Sequence, residues 1–154
     1  MGDLHVVLVE PEIAWNTGNV GRTCLAVGAQ LHLVEPLGFS LGDKEVRRAG
    51  LDYWPRVKPR VWPSWAALER ELASIGEPFF FTARSERRFQ EVAYPRPAVL
   101  VFGRESVGLP PELLGRYAER TVAIPMRDPE LRSLNLSTSV ALGLYEARRQ
   151  WGDL

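Results

Sequence analysis

Ile124-Pro-Met126, Arg127-Asp-Pro-Glu-Leu-Arg132 and Ser133-Leu-Asn-Leu-Ser-Thr-Ser-Val-Ala-Leu-Gly-Leu-Tyr145 follow one another without a break, and this stretch decides the fold. Residues 121–124 form a short β-branched strand that Pro125 stops. After the charged loop, a hydroxyl-rich segment opens an amphipathic helix, with Ser137, Thr138 or Ser139 placed to cap its free amides. A strand tip, a polar loop and a helix N-terminus therefore meet at one point. In an open α/β sheet, ligands sit there, outside the carboxyl ends of the strands. Ser133, Asn135 and Ser137 offer hydrogen bonds without a strong acid, base or metal ligand, which suits holding and polarising a polar group.

Working outward, Ala98-Val-Leu-Val-Phe102 is the clearest strand, an unbroken apolar run. Residues 4–9, 31–34 and 79–82 read as buried strands in the same way. Residues 57–62 read as a short edge strand, because Pro59 removes a ladder donor. Residues 10–19 read as a loop. A helix carrying Val20, Cys24, Leu25 and Val27 stops at Gly28, and a charged helix over 43–50 ends at Gly50. Residues 51–55 read as irregular. Ser64 caps a helix through Leu68, Leu72 and Ile75 to Gly76, and Pro111 opens another toward Tyr117. Val140, Leu144, Ala147 and Trp151 make the apolar stripe of the last helix. Strands alternating with helices indicate an α/β fold with a mainly parallel sheet flanked by helices.

The chain has 154 residues, 45% apolar and 25% charged, which suits a single domain over residues 1–154 with a sizeable core. The formal net charge is +0, so any grip on a polyanion has to be local. Lys44 and Lys58 are the only lysines, and every other cation is arginine, the better bidentate phosphate binder. Cys24 is the sole cysteine and His5 and His32 the sole histidines, so no disulfide and no metal site is expected. The start lacks the basic and cleavage regions of a signal peptide, and no apolar run reaches spanning length. A cytoplasmic protein without membrane attachment is expected.

Three strand-end segments share a character: Asn16-Thr-Gly-Asn-Val-Gly-Arg22, Gly103-Arg-Glu-Ser-Val-Gly-Leu-Pro110 and Ser133-Leu-Asn-Leu-Ser137. Gly103 and Gly108 have the spacing of a phosphate-cradling loop, but Leu109 and Pro110 stand where Lys and Ser or Thr are required. Gly18-Asn-Val-Gly21 lacks the three-glycine dinucleotide fingerprint. Neither a nucleoside triphosphatase nor a nicotinamide enzyme is favoured. Taken singly, each segment also has a plain reading: Gly18 and Gly21 as turn or packing glycines, Arg22 as a solvated helix residue, Glu105 as a cap.

In this order and spacing, Pro11-Glu-Ile13 with Asn16-Thr-Gly-Asn19 and Arg22, then Phe102-Gly-Arg-Glu-Ser-Val-Gly-Leu-Pro110, then Ile124-Pro-Met126 with Ser133-Leu-Asn-Leu-Ser137, resemble the signatures of the SPOUT class of S-adenosylmethionine-dependent RNA methyltransferases, in its SpoU/TrmH branch. The chain looks closest to the tRNA wobble-position 2′-O-methyltransferases through its compact length, Leu33-Val-Glu-Pro-Leu-Gly-Phe39 and Asp43-Lys44 with Arg47-Arg-Ala-Gly-Leu-Asp-Tyr-Trp54. Two departures stand out. Ala14-Trp15 occupies a place where the family carries Pro-Pro, and the loop over 127–132 is one residue longer than usual.

The resemblance implies a C-terminal trefoil knot, the SPOUT or alpha/beta knot, and a homodimer, to which Trp15, Tyr145 and Trp151 could lend aromatic surface. It implies S-adenosylmethionine as cofactor, its adenosine read by main-chain groups of Phe81, Gly103, Ile124 and Ser133. It assigns catalysis to Arg22, Asn16, Glu105, Ser133 and Asn135. A guanidinium stays protonated, so Arg22 suits stabilising a developing alkoxide while a phosphate or water takes the proton. The substrate implied is tRNA. Lys44, Arg47 and Arg48 beside Tyr53 and Trp54, then Arg56, Lys58 and Arg60, interleave cations with stacking surfaces, as unstacked bases require. Two other readings stand: a relative methylating another tRNA or rRNA site, and a non-catalytic RNA-binding protein that keeps the fold.

Overall fold

The computed structural model describes residues 2–154. Six parallel strands form one sheet in the order β3-β2-β1-β5-β4-β6. They are β1 (Leu4–Val9), β2 (Gln30–Val34), β3 (Arg60–Trp62), β4 (Glu77–Phe81), β5 (Ala98–Phe102) and β6 (Thr121–Val122). The helices are α1 (Ala14–Val27), α2 (Lys44–Gly50), α3 (Trp54–Val57), α4 (Trp65–Ile75), α5 (Pro111–Arg116) and α6 (Leu136–Trp151). The central strands are buried on both faces, which is why they read as continuous apolar runs. Leu4, Val6 and Leu8 of β1, with Leu100 and Phe102 of β5, pack under Val20 and Cys24 of α1 and Val140 and Leu144 of α6. Val7, Val9, Val99 and Val101 face the other way, onto Leu68 and Leu72 of α4 and Leu113 of α5. Helices thus cover both faces, with α1 and α6 side by side on one of them.

Several boundaries differ from the sequence reading. Helix α1 begins at Ala14, so Ala14 to Asn19 are helical rather than looped. Its N-cap residue, Ile13, has no capping side chain, and the cap comes from Glu105, in a distant loop. Helix α6 is capped by Asn135, whose Oδ1 accepts the Ser137 amide at 2.9 Å, and not by Ser137, Thr138 or Ser139. Residues 51–57 form two helical turns against α1 instead of an irregular run. The strand expected over 121–124 stops after Val122, and Ala123 continues only as a bridge to Arg88. The edge strand expected over 57–62 runs only over Arg60–Trp62, because Val57 ends α3 and Lys58 turns left-handed at φ 48°, and β4 spans Glu77–Phe81 rather than 79–82. Elsewhere the cues hold: Ser64 Oγ accepts the Ala67 amide at 3.1 Å and Gly28 ends α1 at φ 70°.

The two histidines lie fully buried between β1 and β2 as one wire. Trp62 Nε1–H can only donate, and it reaches His32 Nδ1 at 3.1 Å. His32 Nε2 therefore carries the proton and donates to His5 Nδ1 at 3.0 Å, and His5 Nε2–H donates to the Gly2 carbonyl at 3.0 Å. Both rings are neutral and every ring nitrogen is used. Burial pushes His32 down from 6.5 to about 3, with the His5 ring adding to the shift, and burial lowers His5 as well. Below 6.5 the unfolded chain binds protons that the folded chain refuses. The stabilisation is complete above that pH and is lost progressively as pH falls toward 3. His32 alone is expected to remove about 2 kcal/mol between pH 7 and pH 5. Urea denaturation at the two pH values checks this, and equal stabilities would contradict it.

Candidate active site

The carboxyl ends of β4, β5 and β6 open into a cleft of about 760 Å³. Its walls are Phe81 to Arg84 after β4, the loop 103–109 after β5, Ile124 and Met126 after β6, residues 132–136 leading into α6, and Ile13 with Asn16 at the start of α1. Of the sequence-predicted site residues, Asn16, Phe81, Gly103, Glu105, Ile124, Ser133 and Asn135 all line it. A second hollow of about 360 Å³, between Ser85, Arg88 and Asp128, shares Ile124, Met126 and Arg132 with it.

Hydrogen bonds tie the three segments together. Glu105 accepts the Glu12 amide at 2.8 Å, the Ile13 amide at 3.0 Å and Asn16 Nδ2 at 3.2 Å. A carboxylate on the positive end of α1 is favourable in itself. Asn135 Nδ2 donates to Asn16 Oδ1 at 3.2 Å, so Asn16 bridges the loop after β5 to the cap of α6. Arg132 Nη2 donates to the Ser106 carbonyl at 3.3 Å. Asn16, Glu105 and Asn135 therefore spend most of their hydrogen-bonding capacity on one another and on loop backbone. They build the cleft.

The lining retains polar capacity. The main-chain groups of Gly103, Ile124, Met126, Ser133 and Leu134 find no hydrogen-bond partner among the described residues, although Gly103 is buried. Beside them stand Phe81, Phe102, Leu109 and Leu136. Main-chain donors and acceptors in an apolar recess of this size suit a flat heteroaromatic ligand with polar edges.

The comparison with known proteins decides the family. Residues 3–145 match the SpoU rRNA Methylase family. The chain belongs to it. A relative of this SpoU methylase in Burkholderia pseudomallei, a tRNA (cytidine(34)-2′-O)-methyltransferase, is 50% identical over 150 residues, 96% of each chain. A solved structure concerned with 2-OH methylation of C/U34 on tRNA superimposes with a TM-score of 0.92 at 46% identity, covering 99% of both chains. An AdoMet-bound rRNA methyltransferase from Sinorhizobium meliloti superimposes with a TM-score of 0.81 at 26% identity, over 96% of this chain and 56% of that one. The resemblance carried by the three motifs is borne out.

Arg22 does not line the cleft of its own SpoU methylase chain. It is exposed on α1, two turns beyond Asn16 and on the same helical face as Trp15. The cationic stretch is also exposed: Lys44, Arg47, Arg48, Arg56, Lys58 and Arg60 face solvent. Among the described residues none of these six lies within ion-pair distance of a carboxylate, whereas Arg96, Arg104, Arg116, Arg120, Arg148 and Arg149 all do. Tyr53 is exposed under the Arg56 guanidinium, 5.9 Å from its ring centroid. Trp54 instead turns inward, its ring in the space that a side chain at Gly21 would need, 2.9 Å away. The stretch starts beyond the carboxyl end of β2, and by Lys58, whose carbonyl accepts Gln30 Nε2, it has returned to the amino end.

Glu12 does not line the cleft, but it holds the loop beside it, a part the sequence reading passed over. Its Oε1 accepts the Ser106 amide at 2.9 Å and its Oε2 accepts Arg104 Nη2 at 3.2 Å. Hydrogen bonds from Ser106, with help from Arg104, hold its carboxyl below the usual range. The available signal was its place in Pro11-Glu-Ile13, directly before a helix that lacks a local cap.

Proposed function

We propose that this SpoU methylase transfers a methyl group from S-adenosylmethionine to the ribose 2′-hydroxyl of the wobble nucleotide of tRNA, a cytidine or uridine at position 34. The observation that carries the reading is the meeting of three sequence-distant segments around one cleft with unpaired main-chain groups, in a chain half identical to a tRNA (cytidine(34)-2′-O)-methyltransferase. S-adenosylmethionine, when bound, supplies an electrophilic methyl on a sulfonium. Main-chain groups of Phe81, Gly103, Ile124 and Ser133 hold its adenosine. Alignment and electrostatics then carry the catalysis, because the substrate's own 2′-hydroxyl is the nucleophile.

Arg22 stabilises the developing 2′-alkoxide, and it does so in the cleft of a partner subunit. What supports this is its position, outside its own cleft and on a helix face with exposed Trp15. Ile13 and Trp15 at the start of α1, with Leu142 and Tyr145 of the adjacent α6, are 40–48% exposed, apolar surface that a homodimer would cover. Trp151 is not part of that surface, since its Nε1–H donates to the Tyr94 carbonyl at 2.7 Å. Lys44, Arg47, Arg48 and Tyr53 grip tRNA through phosphate pairing and stacking. The knot is supported by the return of the chain from the edge strand β6 to the middle of the sheet, where Gly143 lies against Phe81 and Leu100.

The test is incubation of the protein with tRNA and methyl-labelled S-adenosylmethionine, followed by nucleoside mapping. The label is expected as 2′-O-methylated pyrimidine at position 34. Label at another position or in rRNA contradicts the substrate, and cofactor binding without transfer contradicts the enzyme. Arg22→Lys keeps the charge but loses the planar fork. It is expected to lower kcat/KM by about 100-fold or more while leaving cofactor affinity unchanged. Near-normal turnover would rule out a fork-dependent role.

A further inference from the structure

Glu12 and Glu105 exchange bonds across the seam between α1 and the loop after β5. Each carboxylate accepts main-chain amides from the other's segment, Glu105 from Glu12 and Ile13, Glu12 from Ser106. The two sides of the seam are unequally anchored. The segment carrying Glu12 is pinned from behind: the Gly38 amide donates to the Pro11 carbonyl at 3.0 Å, and Gly38 passes so close that a Cβ there would lie 2.6 Å from the Glu12 carbonyl oxygen. The loop from Arg104 to Gly108 projects from the sheet, with Val107 68% exposed, and closes on itself only through the Arg104–Gly108 pair. Besides the Glu105 bonds, Ser106 holds the outer part of the loop on two sides: its amide goes to Glu12 and its carbonyl to Arg132.

We infer that Glu12 is a positioning residue for the methyl donor, holding the loop 104–108 against the cleft before any ligand arrives. This rests on the methyltransferase reading above. A preset loop spares the ligand the ordering entropy that a loose one would impose on binding. Losing a charge-assisted hydrogen bond to that loop costs enough for about a tenfold loss of affinity.

Glu12→Gln tests this, because it keeps the shape and one acceptor while removing the charge that Arg104 and the Ser106 amide share. S-adenosylhomocysteine titrated by calorimetry is expected to bind about tenfold more weakly to E12Q. At saturating cofactor and tRNA kcat is expected to stay near the wild-type value, with the KM for S-adenosylmethionine raised. In the ligand-free protein, amide exchange at Ser106 and Val107 is expected to speed up about tenfold while the amides of β5 keep their protection. E12A, which removes the acceptor altogether, is expected to show the larger change in each readout. A role confined to folding would lower the melting temperature and leave affinity and Ser106 exchange unchanged well below it. An unchanged E12Q affinity in a wild-type background that binds contradicts the role given to Glu12. Failure of the wild-type protein to bind contradicts the methyltransferase reading itself.

Discussion

Gly103→Ala is expected to abolish cofactor binding, raising the Kd for S-adenosylhomocysteine by about 100-fold or more. Gly103 leaves β5 where the loop turns back on itself, Arg104 N–H donating to the Gly108 carbonyl at 3.3 Å and Gly108 N–H to the Arg104 carbonyl at 2.8 Å. A Cβ on Gly103 would lie 2.2 Å from both Gly108 C and Leu109 N. Both neighbours are backbone, so no side-chain rotation relieves the overlap and the loop has to open. Opening it carries Glu105 away from the start of α1 and Ser106 away from Glu12 and Arg132. Gly115→Ala is the control: it lies in α5 with nothing within 4 Å of the added carbon, and alanine favours a helix by about 0.5–1 kcal/mol. Calorimetric titration of both variants is the measurement, and wild-type affinity in the Gly103 variant would contradict the site as drawn.

Arg148→Ala is expected to lower folding stability by about 2–4 kcal/mol. Arg148 is buried in α6, and its guanidinium closes the molecule. Nε donates to the Val27 carbonyl at 2.8 Å and Nη2 to the Gly28 carbonyl at 3.1 Å, satisfying the free carbonyls at the end of α1. The same group pairs with Asp3 at 3.2 Å and Asp153 at 3.0 Å, joining both termini to the end of α1. Alanine leaves the Val27 and Gly28 carbonyls without their donor, leaves Asp3 and Asp153 to Arg96 alone, and opens a void beside Trp151, over whose ring the guanidinium lies at 5.5 Å. For a domain of this size the loss corresponds to a fall of about 10 °C in Tm. Lysine restores charge but not the fork, so Arg148→Lys is expected to recover only part of it. Thermal and urea denaturation of the three proteins checks this, and a loss under about 1 kcal/mol would contradict the closing role.

How far the sequence could be read depended on where the deciding contact lay. The buried strands were legible to the residue at β1 and β5, because a fully covered parallel strand advertises itself as an apolar run bounded by breakers. Local caps such as Ser64 were legible for the same reason, since donor and acceptor lie within one turn. The start of α1 was not. Its cap, Glu105, is about ninety residues away in sequence, so Ala14 to Asn19 looked like the end of a loop. Asn135 was passed over as a cap because three hydroxyl residues followed it, although asparagine ranks with serine at that position. The cleft residues were legible as a group through their motifs, but not their division of labour. Asn16, Glu105 and Asn135 bind one another, and backbone groups of Gly103, Ile124 and Ser133 stay available. The placement of Arg22 follows from helix geometry once α1 is known to start at Ala14, and no motif reveals that.

The measurement that bears most directly on the central claim is the structure of the protein with S-adenosylhomocysteine bound. The adenosine is expected in the cleft bounded by Phe81, Gly103, Ile124 and Ser133, paired with their main-chain groups, with the Glu12–Ser106 and Glu105–Ile13 bonds intact. Binding elsewhere on the molecule, or a cleft left empty at saturating ligand, would contradict the account.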